Sequence, residues 1–169
     1  MFYLGSTRFN NCTWIENQSF KKKEQIKGAI YGVSIKINEK YPLNTLIFVI
    51  EMNNDNNEIY GISLIRNSIV TTNKCTIYNN TDYNRFIYKG DYWIDREEIL
   101  TENRIIIEMV ENMLFKGKSH VKRQSGISVI TSKLFSKWKY DENSLKQQIK
   151  DLFILKFKNI NNTLYIYND

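Results

Sequence analysis

Two β-rich runs, Leu46 to Met52 and Glu58 to Ile65, are parted by only five residues, Asn53-Asn54-Asp55-Asn56-Asn57, each of them Asn or Asp. These side chains tolerate left-handed backbone and bond to their own chain, so the segment predicts a hairpin loop between two antiparallel strands. The middle of the chain is thereby committed to a β-sheet, and the other elements must pack around it. Gly61, inside the second run, predicts a bulge or a close backbone approach.

Patterning supplies the remaining elements. Phe2 to Leu4 opens with a short strand, and Asn17 to Lys27 reads as a basic helix that stops near Gly28. Ala29 to Ile37 alternates as a strand, and Tyr83 to Ile94 returns to β pattern around Gly90. Asp95 with Glu98 forms an Asp-x-x-Glu capping box. The helix it opens runs to Phe115, with Ile105, Ile106, Met109, Val110, Met113 and Leu114 as its apolar stripe, and Gly117 stops it. Gly126 to Ile130 reads as a strand. Asp141 caps a last helix with Leu145, Ile149, Leu152, Phe153 and Leu155 on its apolar positions, and Thr163 to Tyr167 is expected to close the chain as a strand. The order predicts an α+β fold: a mixed, strongly curved β-sheet or small β-barrel of five to seven strands, flanked by helices.

A chain of 169 residues with no internal repeat or Pro/Gly/Ser-rich linker reads as a single domain over 1–169, a core of 1–130 with a C-terminal helix and strand packed on it. Its longest apolar run, Thr45 to Ile50, is far too short to span a bilayer, so no membrane partner is expected. The N-terminus lacks a basic segment followed by an apolar one, which predicts an intracellular, unsecreted protein with Cys12 and Cys75 reduced. The abundance of Asn, Ile, Lys and Tyr is the mark of A/T-rich codons, and the Asn-X-Ser/Thr sequons at Asn11, Asn17, Asn79 and Asn161 follow from it by chance.

Charge is distributed unevenly. Between Asn112 and Tyr140 stand seven cations and no Asp or Glu, while the net charge of the whole chain is +6, so the remainder is close to neutral. Lysine drift would not produce that concentration. Within it, Phe115 to Gly126 carries Lys116, Lys118, Lys122 and Arg123 together with His120, between flanking glycines. Such a loop attracts polyanions and offers phosphate contacts, although cations also suit the C-terminal end of the helix before it. Trp14 and Trp93 are the candidates for stacking a nucleobase, an interaction of about 1–3 kcal/mol per base. Trp138 lies in a basic helical stretch and is expected to pack on the last helix.

Several chemistries are excluded. His120 is the only histidine, and with two scattered cysteines it cannot make a zinc site. Neither the Walker pattern nor the dinucleotide fingerprint occurs, and there is no Asp-x-Lys or Glu-x-Lys pair of a metal-dependent nuclease. Asp91, Asp95, Glu97 and Glu98 cluster in sequence and invite a magnesium ion, but helix capping explains them as well. No catalytic residue, metal or cofactor is assigned.

The phrases Gly28-Ala29-Ile30-Tyr31-Gly32, Phe48 to Asn54, Ile59 to Ile65, Asn84-Arg85-Phe86-Ile87-Tyr88-Lys89-Gly90 and Leu114 to Gly117 resemble an uncharacterised protein family of nucleocytoplasmic large DNA viruses, over most of residues 1 to 130. That resemblance implies a viral protein of the host cytoplasm or nucleus. The order of elements also resembles the PUA-like superfamily, with its YTH and EVE readers, which implies recognition of a modified or flipped base in an aromatic-lined pocket. The expected partner is DNA or RNA, bound through Lys116, Lys118, His120, Lys122, Arg123 and Arg85, with Trp14 and Trp93 as pocket walls. The alternatives are an effector that engages an acidic protein through the same basic face, and a metal-dependent enzyme acting on nucleic acid.

Overall fold

In the computed structural model of the chain, residues 1–71, 75–157 and 160–165 are described. β3 (Leu46–Asn53) and β4 (Glu58–Arg66) form the expected hairpin, with Asn57 turning the chain at a φ of 55°. On the other side of β3, β1 (Phe2–Phe9) runs parallel to it, Phe2 opposite Leu46 and Phe9 opposite Asn53. The outer edges carry β6 (Tyr92–Asp95), antiparallel to β4, and β7 (Ser128–Val129), antiparallel to β1, so the order is β6-β4-β3-β1-β7. A second, two-stranded antiparallel sheet pairs β2 (Ala29–Val33) with β5 (Phe86–Gly90). The fold is α+β with a mixed sheet, as expected. The edge strands β6 and β7 do not pair with one another, so the main sheet stays open and the barrel alternative is not formed. With only two residues, β7 offers too short an edge to continue the ladder.

β3 has no solvent face. All eight of its residues are buried, and they alternate between two cores. Leu46, Phe48, Ile50 and Met52 point toward α2 (Arg96–Phe115), α3 (Ser132–Trp138) and α4 (Glu142–Lys156). Ile47 and Val49 point toward the β2–β5 sheet and α1 (Asn11–Lys23). Each fully buried apolar side chain of this kind contributes about 1.5–3 kcal/mol, which makes β3 the anchor of both layers.

The helices differ from expectation where caps and faces decide. α1 begins six residues before Asn17, because Asn10 and Thr13 form a reciprocal capping box, and it ends ahead of Gly28, where Gln25 takes the left-handed backbone at φ 55°. In α2, Asp95 accepts from the Glu98 amide as expected, but Asn103 interrupts the helical backbone. The buried stripe is displaced by one position from the expected one: Ile107 is buried, while Ile105 is 57% exposed. Leu155 of α4 is likewise 69% exposed. The expected last strand is not formed over Thr163 to Tyr165, which belong to a helix, α5 (Ile160–Tyr165); its other residues, 166–167, lie outside those described.

β5 and β6 follow one another with only Asp91 between them, so one continuous stretch leaves the small sheet and enters the large one. The corner is packed backbone on backbone. A Cβ on Gly90 would stand 2.1 Å from the Leu64 carbonyl oxygen, and one on Gly28 would stand 2.0 Å from the Gly90 carbonyl oxygen. Backbone atoms cannot swing aside as a side-chain tip can. Gly90→Ala is therefore expected to lower stability by about 3 kcal/mol or more, read from urea denaturation of variant and parent; a change below about 1 kcal/mol would contradict this account of the corner.

Candidate ligand cleft and the buried network behind it

The parallel register of β1 and β3 brings the end of β1 beside the hairpin loop, and Asn10 then turns the chain straight into α1. These ends, with the end of β2 and the segment Ser125–Gly126, enclose a cleft of about 350 Å³. Phe9, Tyr78 and Tyr83 give it an aromatic side, the two tyrosines meeting edge to face at 6.1 Å. Tyr78 is fixed: its hydroxyl accepts from Asn17 Nδ2 at 3.1 Å, and burial pushes its pKa far above 10, so it stays neutral. Among the described residues no Asp or Glu lines the cleft, and Arg8 does.

The basic loop is stitched to this rim by its second half. Arg8 Nη1 donates to the Lys122 carbonyl at 2.9 Å, Asn54 Nδ2 donates to the same oxygen at 2.8 Å, and Lys122 Nζ donates to Asn57 Oδ1 at 2.6 Å. Two residues beyond Arg123, Ser125 and Gly126 line the cleft itself. The first half of the loop is held elsewhere. Lys116 Nζ donates to Asn112 Oδ1 on α2 at 2.7 Å, and Lys137 of α3 donates to Ser119 Oγ at 2.7 Å. Lys116, Lys118 and His120 are exposed and do not line the cleft. Arg85 is exposed and pairs with Asp82 at 3.5 Å, next to the short 3-10 turn (Thr81–Asn84) that supplies Tyr83. The structure thus ties the Lys122 backbone to the rim through Arg8 and Asn54, while Arg123, like Lys116 and Lys118, is exposed and does not line the cleft.

Neither tryptophan lines the cleft. Trp14 packs edge-on against Phe9 and Tyr60, with ring centroids 5.1 and 4.9 Å away. Trp93 is covered by Lys21, whose Nζ sits 3.9 Å from the ring centroid. The aromatic lining comes from Phe9, Tyr78 and Tyr83, residues that pattern alone gave no reason to choose.

Behind the cleft lies a polar network inside the second core. Glu51 follows Ile47 and Val49 on the same face of β3 and is only 1% exposed. Its Oε1 accepts from the Tyr31 hydroxyl at 2.6 Å, and its Oε2 accepts from Trp93 Nε1 at 2.8 Å. The Tyr31 hydroxyl also lies 2.7 Å from Ser63 Oγ. Gly61 makes room for this: a Cβ there would meet Trp93 Nε1 at 2.7 Å and Glu51 Oε2 at 2.8 Å. Gly61 also adjoins the bulge, since Glu51 pairs with Gly61 while Met52 pairs with Ile59, so both alternatives expected at that glycine hold. Loss of solvent raises the pKa of Glu51 against the pull of Tyr31, Trp93 and Lys21, and loss of solvent lowers that of Lys21 against the pull of Glu51.

The acidic group singled out in the sequence has other contacts. Asp95 caps α2, Glu98 pairs with Lys156, and Asp91 and Glu97 are exposed. Among the described residues no three His, Cys, Asp or Glu side chains converge to hold a metal, and no helix is long and apolar enough to cross a membrane. Both cysteines are free. No family model matches the chain, and no curated protein or solved structure matches it either.

The network yields a prediction with a definite sign. The folded protein holds the Glu51 proton more tightly than the unfolded chain does, so this group's favourable contribution is full below its ordinary value of 4.5 and is lost as pH rises through the higher folded value. Glu51→Gln keeps the partners satisfied, with the amide oxygen on Trp93 and the amide nitrogen donating to Tyr31, which in turn donates to Ser63. It is expected to cost about 1 kcal/mol or less and to flatten that pH dependence. Glu51→Ala leaves Trp93 Nε1 without its acceptor and opens a cavity in the core, for a loss of about 2–4 kcal/mol. Denaturation midpoints of the three proteins between pH 4 and 8 check both; equal costs for Gln and Ala would contradict the network.

Proposed function

We propose that the chain is a nucleic-acid-binding module that admits one unstacked base to the cleft while Arg8, Lys122 and Arg123 hold the adjoining phosphates. The observation that carries this reading is the Lys122 carbonyl, which accepts from both Arg8 and Asn54 and so fixes the acid-free basic loop to the rim of a hollow. A volume of about 350 Å³ suits a single base and not a duplex, and it falls within the range of small-ligand sites. Tyr83, 40% exposed, offers π-surface for stacking, which tolerates any base, and permanent cations beside the rim supply salt-dependent affinity. Recognition of an unpaired base is also what the likeness to PUA-like readers implies, and the likeness to proteins of large DNA viruses would place such a module in an infected cell.

Titration of fluorescent single-stranded RNA, single-stranded DNA and duplex DNA at about 50 and 200 mM salt tests it. Single strands are expected to bind tighter than the duplex, with affinity falling steeply with salt. The Lys122→Glu/Arg123→Glu double variant is expected to weaken binding about tenfold or more, and Lys116→Glu/Lys118→Glu to weaken it less. Equal losses from the two pairs, or no binding to any strand, would overturn the assignment.

A further inference from the structure

We infer that Asn54 makes the cleft selective for a nucleobase that carries an exocyclic amino group, whose N–H is taken by Asn54 Oδ1. This rests on the base-binding reading above and adds a determinant to it. Asn54 lines the cleft at the first turn of the hairpin loop, and its backbone amide is bound to the Phe9 carbonyl at 2.8 Å. Its side-chain nitrogen must face Lys122, because the atom 2.8 Å away is a carbonyl oxygen, and an amide turned the other way would set two acceptors against each other. The orientation of Oδ1 follows. Among the described residues it is the one buried side-chain nitrogen or oxygen without a hydrogen-bond partner.

An acceptor shut away from solvent and left unpaired is costly, by an amount equivalent to about 5- to 150-fold in a binding constant. It therefore rewards a ligand that brings a donor and penalises an otherwise identical ligand that lacks one, the logic by which polar sites discriminate better than apolar ones. The neighbourhood allows the small movement required. Arg8 also donates to the Lys122 carbonyl, so Asn54 can turn without orphaning that oxygen, and the terminal torsion of an asparagine is broad. The amino groups of adenine and cytosine, carried on a flat ring that the aromatic side of the cleft can face, meet the demand for a planar ligand with an N–H donor at its edge.

The experiment uses short oligothymidylates with one central residue exchanged: adenosine against purine riboside, and cytidine against 2-pyrimidinone riboside. Each pair differs by the amino group alone. The intact protein is expected to bind the amino-bearing member about fivefold tighter or more in at least one pair, and Asn54→Ala to bring that ratio to about one, whatever its effect on overall affinity. Equal affinity within both pairs in the intact protein, with binding still sensitive to Lys122→Glu/Arg123→Glu, overturns the role of Asn54 and leaves the base-binding reading standing. A preference that survives Asn54→Ala also overturns it. Failure of every oligonucleotide to bind removes both.

Discussion

Glu51 is an ionisable side chain in the middle of a strand that has no free face, and the layers around β3 are arranged to satisfy it. Its two oxygens accept from β2 and β6 through Tyr31 and Trp93, and Lys21 brings a cation from α1 over the same indole. Desolvation works against the charged form of both Glu51 and Lys21, so this cluster is not a cheap source of stability. What it provides is placement. An apolar residue at 51 would accept many packings of the small sheet, whereas a carboxylate with two fixed donors accepts one.

The cleft is a consequence of that placement. α1 and β2 leave the network in fixed positions, Asn10 caps the helix at the end of β1, and the space between these ends and the hairpin loop is bordered by Ser125 and Gly126. Because Gly126 adopts a φ of 68° and its Cβ position lies 3.0 Å from the Ile35 carbonyl oxygen, the chain passes close beside the exit from β2 on its way to β7. The loop's cations are consequently divided between two supports, α2 and α3 for the first half and the cleft rim for the second.

Local chemistry was readable where it acts alone. The Asn/Asp pentapeptide specifies its hairpin without help from the rest of the chain, and Asp95 and Asp141 cap the helices that follow them. The start of α1 escaped because its box is Asn-x-x-Thr, without the acidic third residue that marks such motifs. The stripe of α2 was misread by one position because three consecutive isoleucines, Ile105 to Ile107, fit either of two adjacent faces, and only the packing shows that Ile106 and Ile107 turn inward. Glu51 carried one signal, an acid at the position where alternation along β3 demands an inward residue, and only the facing sheet shows that it is buried. The cleft was out of reach for the same reason: Phe9 is remote in sequence from Tyr78 and Tyr83, and only the folded chain brings them to one hollow.

The central claim is that one face, made from the end of β1, the cap of α1, the end of β2 and residues 122–126, receives a single-stranded ligand. Amide chemical-shift mapping of the protein during addition of a short mixed-sequence single strand tests it most directly. The account predicts shifts concentrated at Arg8 to Thr13, Gly32 to Ser34, Asn54 and Lys122 to Gly126. Shifts confined to Lys116 to Ser119, or to the lysines at the end of α1, would contradict it.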